Sequence, residues 1–216
     1  MSSLFLYKST YNTSKFLIWT IGKIFFRVSY SGIENVPKEG GVILASNHAS
    51  YLDPPLLGAG FPRKIRFLAK EELFTDYNFL FSWWIKTVKA QPIKRGSGDI
   101  GALRASLSIL QSEECMVVFP EGTRTRNGNL QECKPGAGML IKKAKVPVVP
   151  AYISGTFEAF PRTAKFPKLH KVRITYGNPI PPEEFESFEN SKETYETITQ
   201  KLMDRIKELK DSPENK

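Results

Sequence analysis

Three short and almost uninterrupted apolar runs, Gly41 to Ser46, Cys115 to Phe119 and Pro147 to Ile153, constrain this chain more than any other feature. A strand with one wet face alternates apolar and polar residues, so runs that are apolar nearly throughout read as buried strands covered on both sides. The intervening segments supply the helices for such cover. Asp53-Pro54-Pro55 reads as a helix start, with Asp53 at the N-cap and proline pre-set for the first turn. Helices are also predicted over 76–86, 137–145 and 191–210, and Ile100, Leu103, Leu107 and Leu110 line one face of another. Ile65 to Ala69, a short run ending at Ile93, and Val172 to Tyr176 complete the strands. The 216 residues, with neither repeat nor low-complexity linker, predict a single α/β domain with a mixed, largely parallel sheet flanked by helices.

Charge divides unevenly along the chain. Residues 182–216 hold ten acidic and six basic groups, so of the net +9 the remainder carries +13. A basic body implies an anionic partner such as phosphate groups, a membrane surface, an acidic protein or nucleic acid. No nucleic-acid motif accompanies the charge, and none of that class of partner is expected. Cys115 and Cys133 fit no metal-ligand spacing and make no disulfide framework, which points to a reducing compartment.

Residues 1–33 contain Lys8, Lys15, Lys23 and Arg27 and no acid. Lys15 and Lys23 bracket an apolar run of seven residues, far below the roughly 20 of a spanning helix. No small-residue cleavage site follows it, as a signal peptide requires. At helical spacing Leu17, Ile21, Ile24 and Val28 share one face, while Lys15, Lys23 and Arg27 share the other with Trp19 and Phe26. Residues 1–30 therefore read as a helical segment lying in a bilayer interface before a domain of residues 31–216. The alternative is a helix packed on the core with a solvated basic face. A second aromatic patch, Phe79, Leu80, Phe81, Trp83, Trp84 and Ile85, admits the same two readings.

Ligands of open α/β sheets sit beyond the carboxyl ends of the strands. Three polar clusters stand there: His48 with Asp53, Lys94 with Arg95, and Glu121-Gly122-Thr123-Arg124. His48 can take a proton at neutral pH if Asp53 holds its second nitrogen; alternatively Asp53 caps its helix and His48 bonds to backbone. Lys94 and Arg95, followed by glycines and a helix N-terminus, suit a phosphate. Gly96 to Gly101 also matches G-x-G-x-x-G, but the preceding run is short and charged, so a dinucleotide site is not expected. Glu121 and Arg124 hold either a polar substrate or one another.

Four blocks in order, Asn47-His48-Ala49-Ser50-Tyr51-Leu52-Asp53, Pro92-Ile93-Lys94-Arg95, Phe119-Pro120-Glu121-Gly122-Thr123-Arg124 and Val146-Pro147-Val148-Val149-Pro150, resemble those of the glycerolipid acyltransferase family. Within it, the chain is most similar to 1-acylglycerol-3-phosphate acyltransferases. The resemblance spans about residues 30–160 and includes Gly32 to Pro37 and Lys134 to Gly138. Lys89 and Pro92 stand where the family often has glycine and phenylalanine, a departure that bears on acceptor specificity. The resemblance implies transfer of a fatty acyl group from acyl-CoA or an acyl-carrier protein to the free hydroxyl of a lysophospholipid, giving phosphatidic acid. It implies His48 as base and Asp53 as its orienting carboxylate. Arg95 and Lys94 would bind the acceptor phosphate, with Glu121, Gly122, Thr123 and Arg124 on its other side and Lys70 as a candidate near the oxyanion. It implies no metal and no cofactor beyond the thioester co-substrate, and a monotopic or peripheral place on the cytoplasmic face of a membrane. The absence of any G-x-S-x-G agrees with a nucleophile supplied by the substrate.

Overall fold

The computed structural model describes residues 3–75, 82, 85–86, 90–93 and 100–213. The chain begins with α1 (Ser3–Phe25), β1 (Ser29–Ser31), β2 (Val42–Ser46), α2 (Asp53–Gly60), β3 (Ile65–Arg66), β4 (Leu68–Lys70), α3 (Glu72–Thr75) and β5 (Gln91–Ile93). It continues with α4 (Ile100–Gln111), β6 (Cys115–Val118), α5 (Pro135–Ala144), β7 (Val148–Ser154), α6 (Thr156–Ala159), β8 (Arg173–Tyr176) and α7 (Lys192–Asp211). Six strands form one sheet in the order β1-β8-β7-β2-β6-β3. β7, β2, β6 and β3 run parallel, while β8 is antiparallel to β7 and parallel to β1.

Both faces of this sheet are covered, which is why its central strands are apolar throughout. Val42 and Leu44 turn to one face and pack with Phe26, Leu56, Leu57 and Phe61. Ile43 and Ala45 turn to the other and pack with Leu110, Leu140, Ile141, Ile198, Leu202 and Ile206 of α4, α5 and α7. All four β2 residues are fully buried. The result is the expected single α/β domain with a largely parallel sheet between helical layers.

The predicted strand from Ile65 to Ala69 divides. Only Ile65 and Arg66 pair with β6; Phe67 then packs into the first core beside Gly58, and the chain leaves to form a separate parallel pair, β4 with β5. Of the helix predicted over 76–86, only Ser82, Ile85 and Lys86 fall within the described residues, and Ile85 is buried. The aromatic patch at 79–84 otherwise lies outside them, as do Gly96 and Gly98.

Helix α1 packs on α2 with a face that differs from the predicted division. Tyr7, Tyr11, Lys15, Ile18 and Gly22 recur at three- and four-residue spacing and turn inward, continued by Phe26. The Tyr11 hydroxyl accepts the Ile65 amide hydrogen at 2.9 Å, and Lys15 donates through Nζ to the Phe61 carbonyl. Lys15 thus belongs to the packed face, because the unpaired carbonyl ending α2 needs a donor. Opposite stand Phe16, Leu17, Ile21, Ile24 and Phe25, all more than 49 % exposed except Ile21 at that value. Among the described residues no helix is long and apolar enough to cross a membrane.

Helices α5 and α7 leave no room for a side chain at Gly138. A Cβ there would stand 2.0 Å from the Tyr195 carbonyl oxygen and 2.7 Å from Thr199 Oγ1, which accepts the Gly138 amide hydrogen at 2.9 Å. Backbone on the facing side cannot rotate away, so the helices must part. We expect Gly138→Ala to cost about 1–3 kcal/mol of stability, read by urea unfolding.

Candidate active site

Parallel pairing of β2 with both β6 and β7 sends three carboxyl ends to one edge of the sheet. The loop after β2 carries His48 and the loop after β6 carries Glu121, and backbone bonds lock the two together. The His48 amide donates to Glu121 Oε1 at 2.9 Å, and the Thr125 amide donates to the His48 carbonyl at 2.9 Å. Asn47 ties the same loop to β7, accepting from the Ile153 amide at 2.8 Å and donating to its carbonyl at 3.0 Å.

Asp53 has no exposed surface, and the chain from His48 to Ser50 wraps around one of its oxygens. Oδ2 accepts from the Ala49 amide at 2.6 Å, the Ser50 amide at 2.7 Å and His48 Nδ1 at 2.8 Å. The predicted N-cap role is therefore corrected: Asp53 is the first helical residue, and its carboxylate faces back along the loop. The reason lies in the next two residues. Pro54 and Pro55 have no N–H to offer, and the Leu56 amide is taken by the Leu52 carbonyl at 3.1 Å, so the helix presents no free donor. Oδ1 is buried with no hydrogen-bond partner among the described residues.

A carboxylate only accepts, so its bond places the proton of a neutral imidazole on Nδ1 and leaves the Nε2 lone pair free. The ring is fixed from a second direction by Phe119, stacked at 3.9 Å between centroids and 16° between planes. His48 retains 13 % side-chain exposure against none for Asp53. The pair is a held base with one open nitrogen.

Glu121 was expected at the substrate, and the structure turns it inward instead. With Oε1 on the His48 amide, Oε2 accepts from the Gln131 amide at 3.2 Å and from its Nε2 at 3.0 Å. Gln131 Nε2 also donates to the Thr123 carbonyl at 2.9 Å. Glu121 is 2 % exposed and positions the loop that carries His48. Burial pushes its carboxyl pKa up, opposed by the bonds from Gln131 and the His48 amide, which favour the anion.

The rest of this turn faces outward. Gly122 sits at φ 68°, a left-handed conformation that lets its amide bond the Phe119 carbonyl at 2.9 Å. Thr123 is half-buried and Gly122 exposed. Arg124 does not pair with Glu121; its guanidinium lies 3.4 Å above the Tyr51 ring centroid, and Nη1 is buried with no partner among the described residues. An unspent cationic donor one residue from the Thr125 amide that clasps His48 is suited to an anionic ligand. Lys70 ends β4 in register with Ile93, one residue before Lys94; Lys94 and Arg95 lie outside the described residues.

Asn47, Tyr51, Phe119 and Gln131 were not singled out as site residues in the sequence. Asn47, Tyr51 and Phe119 stand inside recognisable blocks, but ring stacking and cross-loop bonds leave no periodic signal. Gln131 follows Glu121 by ten residues in an irregular loop and carries no signal at all.

Comparison with known proteins identifies the family to which the chain is similar. The Acyltransferase family model matches residues 27–154. The 1-acyl-sn-glycerol-3-phosphate acyltransferase of Bacillus subtilis is 32% identical over 178 residues, covering 82% of this chain and 84% of that protein. The enzyme of the same name from Streptococcus pneumoniae is 29% identical over 197 residues, covering 89% and 69%. The crystal structure of the 1-acyl-sn-glycerophosphate (LPA) acyltransferase PlsC from Thermotoga maritima superimposes with a TM-score of 0.72 at 29% identity, covering 92% of this chain and 80% of that one.

Glu121 yields a pH-dependent prediction. A folded-state pKa raised above the unfolded value means that the folded protein holds this proton more tightly. The contribution is complete below the unfolded carboxylate range and is lost as pH climbs through the raised value. Glu121→Gln removes that titration and sets an amide N–H against a neighbouring donor. We expect a loss of about 1–3 kcal/mol near pH 4 that shrinks towards pH 7, measured by urea unfolding across that range.

Proposed function

The chain belongs to the Acyltransferase family, and from that premise we propose that it transfers a fatty acyl group from an acyl thioester to the free sn-2 hydroxyl of 1-acylglycerol-3-phosphate, giving phosphatidic acid. The observation that carries this reading is the His48–Asp53 pair, bonded at 2.8 Å through Nδ1, with no hydrogen bond to Nε2 among the described residues. The relatives' names supply the acceptor and the geometry supplies a use for it.

In this mechanism the acceptor hydroxyl lies against His48 Nε2, which takes its proton as the oxygen attacks the thioester carbonyl carbon. Asp53 keeps Nδ1 protonated and faces the imidazolium that forms. Its charge is already supported by the Ala49 and Ser50 amides, so it need not move or accept the proton. The tetrahedral intermediate then expels the thiolate, and the imidazolium proton passes to the leaving sulfur. Atoms and charge balance with no nucleophile from the enzyme, and the thioester, acyl-CoA or acyl-carrier protein, enters only as co-substrate.

Arg124 is proposed to bind the acceptor phosphate: its guanidinium is held over the Tyr51 ring, and its buried Nη1 has no partner among the described residues. Gly122 and Thr123 line the same turn. Lys94 and Arg95 are proposed to meet the phosphate from the far side, and Lys70 to lie near the developing oxyanion, both on the strength of the family resemblance. Glu121 serves as a positioning residue. The exposed face of α1, Phe16, Leu17, Ile21, Ile24 and Phe25, supports interfacial attachment to a membrane, which we place on the cytoplasmic leaflet.

His48→Ala is expected to lower acyl transfer by about 10² to 10⁴ while leaving the unfolding transition in place. Arg124→Gln should raise KM for 1-acylglycerol-3-phosphate by about 10- to 100-fold with a smaller change in kcat. Steady-state assays with lysophosphatidate, other lysophospholipids and glycerol phosphate, against both thioester donors, check these outcomes. Unimpaired transfer by His48→Ala would sink the mechanism, and thioester cleavage that is independent of acceptor would identify a hydrolase.

A further inference from the structure

The loop between α6 and β8 combines unopposed basic charge with exposed apolar side chains. From Ala159 to Pro182 the chain has no acidic residue, while Arg162, Lys165, Lys168, Lys171 and Arg173 are basic. Within it Phe166 and Leu169 are the most exposed large apolar side chains among the described residues, at 79 % and 76 %. None of its cations pairs with a carboxylate among the described residues.

Its ends are held. The Lys168 amide donates to the Ala159 carbonyl at 2.7 Å, the Val172 amide to the Phe26 carbonyl at 2.9 Å and the Ser29 amide to the Val172 carbonyl at 3.1 Å. At its start, Ser50 Oγ donates to the Phe160 carbonyl at 2.7 Å, and the Phe160 ring meets that of Tyr51. The loop thus runs from the rim of the His48 site to the end of α1. Sheet topology explains this placement. β8 begins where antiparallel β7 ends, with Ser154 opposite Arg173, and β1 begins beside β8, with Ser29 opposite Arg173. The carboxyl ends of β2, β6 and β7, the end of α1 and this loop therefore share one edge of the sheet.

We propose that residues 161–171 are a second membrane-docking element, in which Phe166 and Leu169 enter an anionic bilayer surface while Lys165, Lys168 and Lys171 stay at phosphate level. The pattern Lys165-Phe166-Pro167-Lys168-Leu169-His170-Lys171 sets each large apolar side chain between cations, the arrangement that interfacial insertion uses. Leu169 is three residues before Val172, so its Cα lies within roughly 11 Å of that of Val172, whose amide is bonded to the Phe26 carbonyl where α1 leaves its exposed Ile24 and Phe25. Two apolar projections that close together define one plane. An acidic carrier protein would use the lysines but has no need of two side chains standing this far out. The inference rests on the proposed membrane attachment but not on the chemistry at His48.

The test is sedimentation of the full chain with vesicles of phosphatidylcholine alone and with about 30 % phosphatidylglycerol, comparing the unmodified protein, Phe166→Ser/Leu169→Ser and Lys165→Gln/Lys168→Gln/Lys171→Gln. The apolar variant is expected to lose about tenfold in binding to both vesicles, and the lysine variant to lose only the phosphatidylglycerol-dependent gain. Both should keep their unfolding midpoints and their turnover of a short-chain, monomeric 1-acylglycerol-3-phosphate. Vesicle binding unchanged in both variants overturns the proposal. So does unchanged vesicle binding with activity lost only when an acyl-carrier protein is the donor, which assigns the loop to an acidic protein. If no variant nor the parent transfers acyl groups while the binding losses stand, the proposed function fails and the docking loop survives.

Discussion

A carboxylate with no access to water must be surrounded by donors, and Asp53 meets that demand by drawing three of them from the five residues before it. The turn between β2 and α2 is a consequence. Two amide hydrogens and an imidazole converge on Oδ2 only if the chain from His48 to Ser50 curls around it, and that curl sets the direction in which α2 departs. The proline pair that follows makes the arrangement exclusive, because a helix that opens without free N–H groups cannot compete for the carboxylate. Replacing Asp53 by a neutral side chain would therefore disturb a turn and a helix together with the histidine.

The sheet then decides what else can reach His48. Since β2 is central and parallel to both neighbours, its carboxyl end is flanked by theirs, and each neighbour contributes one tie: Glu121 from β6 and the Ile153 backbone from β7, through Asn47. Reversal of β8 and β1 adds a consequence for the whole particle. The end of α1 and the basic 161–171 loop come to the same edge as the site, so a surface that meets a bilayer through those elements also presents the site to it.

How far the sequence reveals this depends on the kind of force involved. The strands announced themselves because a face covered on both sides must be apolar at every position, and β2, β6 and β7 fell within a residue or so of the expected runs. Their parallel pairing also placed His48 and Glu121 together as anticipated. Where the outcome depended on which donors were free, the sequence misled. Asp53 looked like a cap because the residues ahead of a helix so often are, and the competition from Ala49 and Ser50 is invisible without coordinates. Glu121 looked like a ligand because it is charged in a functional block; its true partners include a backbone amide 73 residues away and Gln131. Lys15 was placed on the basic face opposite the apolar stripe by its spacing, whereas the carbonyl at the end of α2 claimed it. Long-range hydrogen bonds have no local pattern, and they account for each of these errors.

Those corrections bear on the chemistry. Both acidic side chains of the two blocks are buried and accept from protein donors, Glu121 through both oxygens and Asp53 through Oδ2, while among the described residues His48 Nε2 and Arg124 Nη1 have no partner. The surface turned to a ligand is therefore basic or neutral, with its negative charge held one layer back. On the proposed function, a site built in that order would attract an anionic acceptor and an anionic thioester without repelling either, and would keep a carboxylate close enough to hold the imidazolium that proton transfer creates. Reversing the order, with Glu121 at the ligand and Arg124 paired behind it, would place like charges against the phosphate. On the proposed function, the inward turn of Glu121 thus serves the substrate as much as the fold.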